Sequence, residues 1–149
     1  MDLLERATAL AACPLFADLA PAVLIRLAER ARPRALEPGE RLTTDGNVWV
    51  VVDGQIVIAS TAAVSLDATA STTRRHGGTA FAGHVLGLVR VVAPATPPLS
   101  ALAVKATNVV GLTLDDMRDV LEEDPIALAA LADALARVLL APNTDGARR

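Results

Sequence analysis

Up to residue 32 the apolar positions recur three and four apart; from 33 to 112 that spacing is lost, and after 113 it returns. Leu3, Leu4, Ala7, Leu10 and Ala11 share one face of a helix predicted over Asp2–Ala12, which Pro14 ends. A PLFADL turn leads to Pro21, a residue suited to the first turn of a helix because its missing N–H has no partner there. The second helix, PAVLIRLAERA, gathers Val23, Leu24, Leu27 and Ala31 on one side and Arg26, Glu29 and Arg30 on the other. Pro33 stops it.

The middle of the chain reads as short strands. RALEPGERLTT places a Pro-Gly turn between two extended pieces, and DGN follows as a turn. VWVVVDGQIVIAS reads as a hairpin closed at Asp53–Gly54, the strongest local hairpin signal in the chain. A weak strand is expected near 62–69 and a loose loop at STTRRHGG. ALAVKATNVVGL offers two more strands with KATN as their turn. Thr113 then fits a helix cap, with Asp116 three residues on. The helix LDDMRDVLEED, whose buried side is expected at Met117 and Val120, ends at Pro125. The last helix carries the stripe Leu128, Leu131, Leu135 and Val138 at spacings of three, four and three.

Two helices, about eight short strands and two more helices predict an α+β fold, an antiparallel β-roll or jelly-roll barrel with flanking N- and C-terminal helices. The division is a single unit over 1–142, with opening helices over 2–32, a roll over 33–112, closing helices over 113–141 and a polar tail over 143–149.

Composition narrows the function. The chain of 149 residues is 52% hydrophobic and only 2% aromatic, with a net charge of -3. A polyanion partner needs a basic face, and single-stranded nucleic acid needs aromatic platforms, so nucleic-acid binding is not expected. The N-terminus lacks the layout of a signal peptide, and the longest apolar run is broken by Arg90, Pro94, Pro97 and Pro98, so no direct membrane insertion is expected. A lone cysteine, Cys13, fits a reducing, cytoplasmic setting for a chain that stands alone or forms the soluble part of something larger.

Five stretches together resemble the cyclic nucleotide-binding domain, the jelly-roll module of the catabolite activator and of protein kinase A regulatory subunits. PLFADLAPAVLIRLAERA is similar to its opening helices, LEPGERL to its first strand-turn-strand, and VWVVVDGQIVI to the hydrophobic hairpin that follows. GHVLGL sits where that family has the Gly-acid-x-x-Gly-Glu phosphate-binding cassette, and VVGLTLDDMRDVLEEDP resembles its last strand and following helix. The resemblance implies a ribose-binding glutamate and a phosphate-clamping arginine. Here the glycines stand as Gly83 and Gly87, the first acid is His84, the glutamate is Leu88, and the arginine falls on Leu99 or Ser100. No Asp or Glu occurs from Ala68 to Leu114, and no Arg from Val91 to Met117, so neither charge is supplied under any alignment.

The expectation is therefore a regulatory or protein-interaction module that has lost ordinary cAMP and cGMP binding and has no cofactor and no catalytic role. Its partner would be a protein or an attached effector domain, reached through the helix over 21–31 or the Leu128–Val138 stripe, which also offers a homo-oligomer contact. The alternative is a small-molecule sensor, its pocket re-lined by Leu86, Leu88, Leu99 and Ala101 for a less polar ligand; a third option keeps weak nucleotide binding on backbone amides alone. Arg90 is expected at the surface of a short helix after Gly87, with a substitute phosphate role as the competing reading. His84 is expected as a loop residue satisfied by backbone, because His76, His84 and Cys13 fall short of a metal-ligand set. Arg74–Arg75 reads as a solvated loop, and the acids Asp115, Asp116, Asp119, Glu122 and Glu123 as a solvated helix face. No nucleophile elbow, catalytic triad or P-loop is present in the sequence.

Overall fold

The computed structural model describes residues 1–58 and 78–140, with side chains as far as 137. Asp2 caps α1 (Leu3–Ala11) through a reciprocal capping box with Glu5, so the helix begins one residue later than the pattern suggests. The PLF turn buries Phe16 completely and leads to α2 (Pro21–Arg30), which Pro21 opens. Arg6 Nε donates to the Ala28 carbonyl at 2.8 Å, satisfying one of α2's last carbonyls.

The strands are β1 (Arg32–Leu36), β2 (Arg41–Thr43), β3 (Asn47–Asp53), β4 (Ile56–Ile58), β5 (Thr79–Ala80), β6 (Val85–Leu86), β7 (Ser100–Ala103) and β8 (Thr107–Thr113). The one-turn helix α3 (Val89–Val92) lies between β6 and β7. After β8 come α4 (Leu114–Glu122) and α5 (Pro125–Leu140). Thr113 caps α4 by accepting from the Asp116 N–H at 3.0 Å, and Asp124 accepts from Ala127 N–H at the start of α5.

Among the described residues all pairings are antiparallel, in two four-stranded sheets of order β1-β8-β3-β6 and β2-β7-β4-β5. The architecture is thus an α+β roll with flanking helices. In the first sheet β1 is exposed except at Leu36, whereas the central strands β3 and β8 have apolar layers on both faces, which explains the apolar runs VWVVV and VVGL. Val48, Val50, Val85, Val110 and Leu112 pack against the helices, with Phe16, Leu27, Met117, Val120 and Leu131. Leu36, Val51, Leu86 and Val109 face the second sheet, with Ile56, Ile58, Leu99 and Ala101.

The predicted hairpin at Asp53–Gly54 is not one. Its strands, β3 and β4, belong to different sheets, and the same holds for β7 and β8 around KATN. Both turns carry the chain across the end of the roll, where pairing is set by strands distant in sequence. Thr107 ties the two crossings together. Its buried Oγ1 accepts from Gln55 N–H at 3.1 Å and donates to the Lys105 carbonyl at 2.8 Å. Gly54, at φ 104, is packed against it, and a Cβ there would lie 2.6 Å from Thr107 Cα. Thr107→Val is expected to lower stability by about 1–3 kcal/mol in urea melts, since Gln55 N–H loses its acceptor.

β5 and β6 escaped the sequence pattern because two residues cannot display a period of two. The strand expected near 62–69, Arg74–Arg75, His76 and the tail over 143–149 lie outside the described residues.

Candidate functional site

Gly83 and Gly87 frame the cassette stretch with φ of +88 and +86, values that favour glycine. Gly83 N–H donates to the Val51 carbonyl and Val51 N–H to the His84 carbonyl, both at 2.9 Å, so this turn is laced to β3. A Cβ on Gly87 would stand 2.9 Å from the Asn47 carbonyl oxygen and 2.9 Å from Thr44 Cβ. Backbone conformation accounts for Gly83, and backbone conformation with local crowding for Gly87, without reference to a phosphate.

His84 Nδ1 accepts from Phe81 N–H at 2.8 Å, so the loop histidine is satisfied by backbone as expected. Burial pushes the imidazole below its ordinary value of 6.5. The unfolded chain therefore takes up the proton more readily than the folded one, and acidification below about 6.5 drains stability from this site. Urea melts at stepped pH are expected to show His84→Gln flattening this acid-side loss; an unchanged profile would contradict the coupling.

Leu88 caps the start of α3 at 2% exposure and packs with the helices. Leu86, Leu99 and Ala101 pack on the other side of the sheet, inside the roll. The expected four-residue pocket wall thus loses Leu88, because the chain turns at Gly87 and sends that side chain to the opposite layer. Leu99 is 1% exposed; its amide donates to Thr44 Oγ1 at 2.7 Å, and Thr44 N–H donates to the Leu99 carbonyl at 3.0 Å. Ser100 is half-buried in β7, paired with Thr43.

Arg90 overturns the expectation of a surface residue. Its side chain is only 12% exposed, with Nε donating to the Thr96 carbonyl at 2.9 Å and Nη1 to the Thr44 carbonyl at 2.7 Å. The guanidinium staples the loop before β7 to the turn after β2, and Asp45 lies at its outer edge at 4.0 Å. Arg118 in turn donates to the Arg90 carbonyl at 3.4 Å, linking α4 to α3. The one sequence signal for this clamp was an arginine alone in an apolar stretch, with Thr44 its unrecognised partner.

The proposed contact faces are largely occupied within the chain. Leu131 and Leu135 are buried in the helix-side core, while Leu128 is half-exposed; the Val138 side chain lies outside the described residues. On α2, Val23, Leu27 and Ala28 are buried, and Arg26 and Arg30 pair with Glu123, Asp116 and Asp119 along α4. These ion pairs are exposed and each contributes little to stability.

No family model matches the chain, and no curated protein matches it by sequence. Solved structures do. A candidate cyclic nucleotide-binding protein of Geobacter metallireducens superposes with a TM-score of 0.69 at 16% identity, covering 95% of this chain and 97% of that one. The N-terminal domain of a transcriptional regulator from Streptomyces coelicolor gives 0.63 at 20% identity, over 99% and 96% of the two chains. The cAMP-bound structure of PfPKA-R gives 0.62 at 14% identity, over 92% of this chain and 46% of that one. The chain has the fold of cyclic nucleotide-binding domains. The residues standing at the cassette offer no charge to a cyclic phosphate: Leu88 stands at the ribose acceptor and Leu99 or Ser100 at the cation, with both leucines buried and Ser100 half-buried.

Proposed function

We propose that this chain is a regulatory, non-catalytic module of the cyclic nucleotide-binding fold that no longer takes cAMP or cGMP in the ordinary way and works through a protein partner or attached effector domain. The observation that carries this reading is Leu99. It is one of the two positions, with Ser100, that the resemblance gives to the phosphate arginine; it is buried with Leu36, Leu86 and Ala101, and Arg90, the arginine of the cassette stretch, is committed to two backbone carbonyls. A charge-assisted hydrogen bond to phosphate is worth about 1.5–3 kcal/mol. Losing the arginine and the glutamate together weakens binding by on the order of a thousandfold.

Arg90 supports the regulatory half of the reading. It holds the cassette loop in place from within the protein, and Arg118 links that loop to α4. The buried Cys13, whose thiol burial pushes up from its usual value, suits a reducing compartment. Among the described residues no helix is long and apolar enough to cross a membrane. Equilibrium dialysis against labelled cAMP and cGMP tests the proposal: retention of neither at 1 mM is expected, and saturable retention of either in the micromolar range would overturn it.

A further inference from the structure

At the end of the roll away from the two sheet crossings, a cavity of about 280 Å³ opens between β1, β3 and β8, lined by three arginines and no carboxylate. None of the cassette residues lines it. The strand register explains why these residues meet. Arg32, Gly111 and Trp49 stand in one row across the sheet, and Asn47 and Thr113 form the next row on the same face. Arg34 follows two residues after Arg32, and Arg30 reaches in from the end of α2.

The floor of the cavity is rigid and aromatic. Trp49 Nε1 donates to the Thr43 carbonyl at 2.7 Å, which fixes the indole in its plane. Gly111 lets the ring lie flat against the strand, because a Cβ there would be 2.4 Å from a ring carbon. The Arg34 guanidinium sits 5.7 Å from the ring centroid, a cation–π distance. Arg30 shares Asp116 and Asp119, and Arg34 reaches Glu40 only at 3.6 Å. Arg32 is exposed, and among the described residues no carboxylate pairs with it. In a chain of net charge -3, an acid-free concavity with an unpaired arginine beside a fixed indole favours a particular chemistry.

We propose that this cavity is a binding site for a small aromatic anion, one with a flat ring to lie along Trp49 and a phosphate or carboxylate to meet Arg32. The planar fork of arginine is suited to both anions, and the indole gives the ring an apolar face. The site goes beyond the cassette reading and stands whether or not that reading does, since the two share no residue.

Trp49 is the chain's sole tryptophan and there is no tyrosine, so its emission reports on this cavity directly. The test titrates the whole chain with adenosine 5′-monophosphate, exciting the indole alone, with adenosine and inorganic phosphate as the ring-only and charge-only probes. The expected result is a saturable change in emission with a midpoint below about 1 mM for the monophosphate, and weaker responses to either half. Arg32→Gln, which removes no hydrogen bond or ion pair among the described residues, is expected to weaken the response roughly tenfold or more. Lys105→Gln, the same charge loss in the β7–β8 connection, is expected to leave it unchanged. Absence of saturation up to 10 mM, an unaltered midpoint in Arg32→Gln, or an equal response to phosphate alone would each overturn the proposal.

Discussion

Leu88→Glu, which restores the residue that the cassette resemblance expects, should destabilise the protein sharply instead of restoring a ribose acceptor. Leu88 lies at 2% exposure in the layer between the first sheet and the helices. Removing a buried leucine costs about 2–5 kcal/mol in lost transfer and packing. The carboxylate also enters an apolar layer, and Arg90 is bound to Thr96 and Thr44. The expected total exceeds about 4 kcal/mol, a large part of the 5–15 kcal/mol typical of a folded domain. Urea unfolding measures it directly. Leu88→Met conserves volume and apolarity and should lose less than about 1.5 kcal/mol. A stable Leu88→Glu protein would mean that the side chain faces the ligand cavity of the relatives, and the account of the cassette would fall with it.

Arg90→Leu carries the second large effect, expected at about 2–4 kcal/mol. Two carbonyls, of Thr44 and Thr96, lose a charged donor in a setting where the guanidinium is nearly shielded from water. The change should also be local before it is global. Hydrogen exchange is expected to quicken first at Leu99 and Thr44, whose reciprocal bonds close the loop that Arg90 holds. Arg90→Lys keeps the charge but not the fork, and should recover only part of the loss. Uniform exchange across the chain in Arg90→Leu would show that the residue stabilises the fold without holding this loop in particular.

The parts of the fold that were legible in the sequence are those written in local chemistry. Pro21 and Thr113 mark helix starts, and the three-and-four spacing marks α1, α2, α4 and α5, because a helix is closed by neighbours in sequence. The Asp53–Gly54 turn was legible as a turn and misleading as a hairpin. Its dipeptide sets the backbone, while the roll decides that β3 pairs with β6 and β8, and β4 with β5 and β7. Runs such as VWVVV show no alternation because β3 carries apolar layers on both its faces.

At the site, the absence of charge was readable residue by residue, whereas the direction of each side chain was not. Leu88 and Leu86 are two residues apart and would share a face in a continuous strand. Gly87 at positive φ breaks that rule, and they fall in different layers. Arg90 was misread as exposed because its partners, at Thr44 and Thr96, are carbonyls, which any residue carries and no sequence pattern announces.

Thermal unfolding of the purified chain with and without cAMP or cGMP at millimolar concentration tests the central claim most directly. A ligand present at a hundred times its Kd adds about 2.7 kcal/mol of stability, which for a chain of this length raises Tm by roughly 5–10 °C. The account predicts a cooperative transition at an unchanged Tm with either nucleotide. A rise of that size would contradict it, and would show that backbone amides at the Gly83–Gly87 turns hold a cyclic phosphate without the arginine or the glutamate.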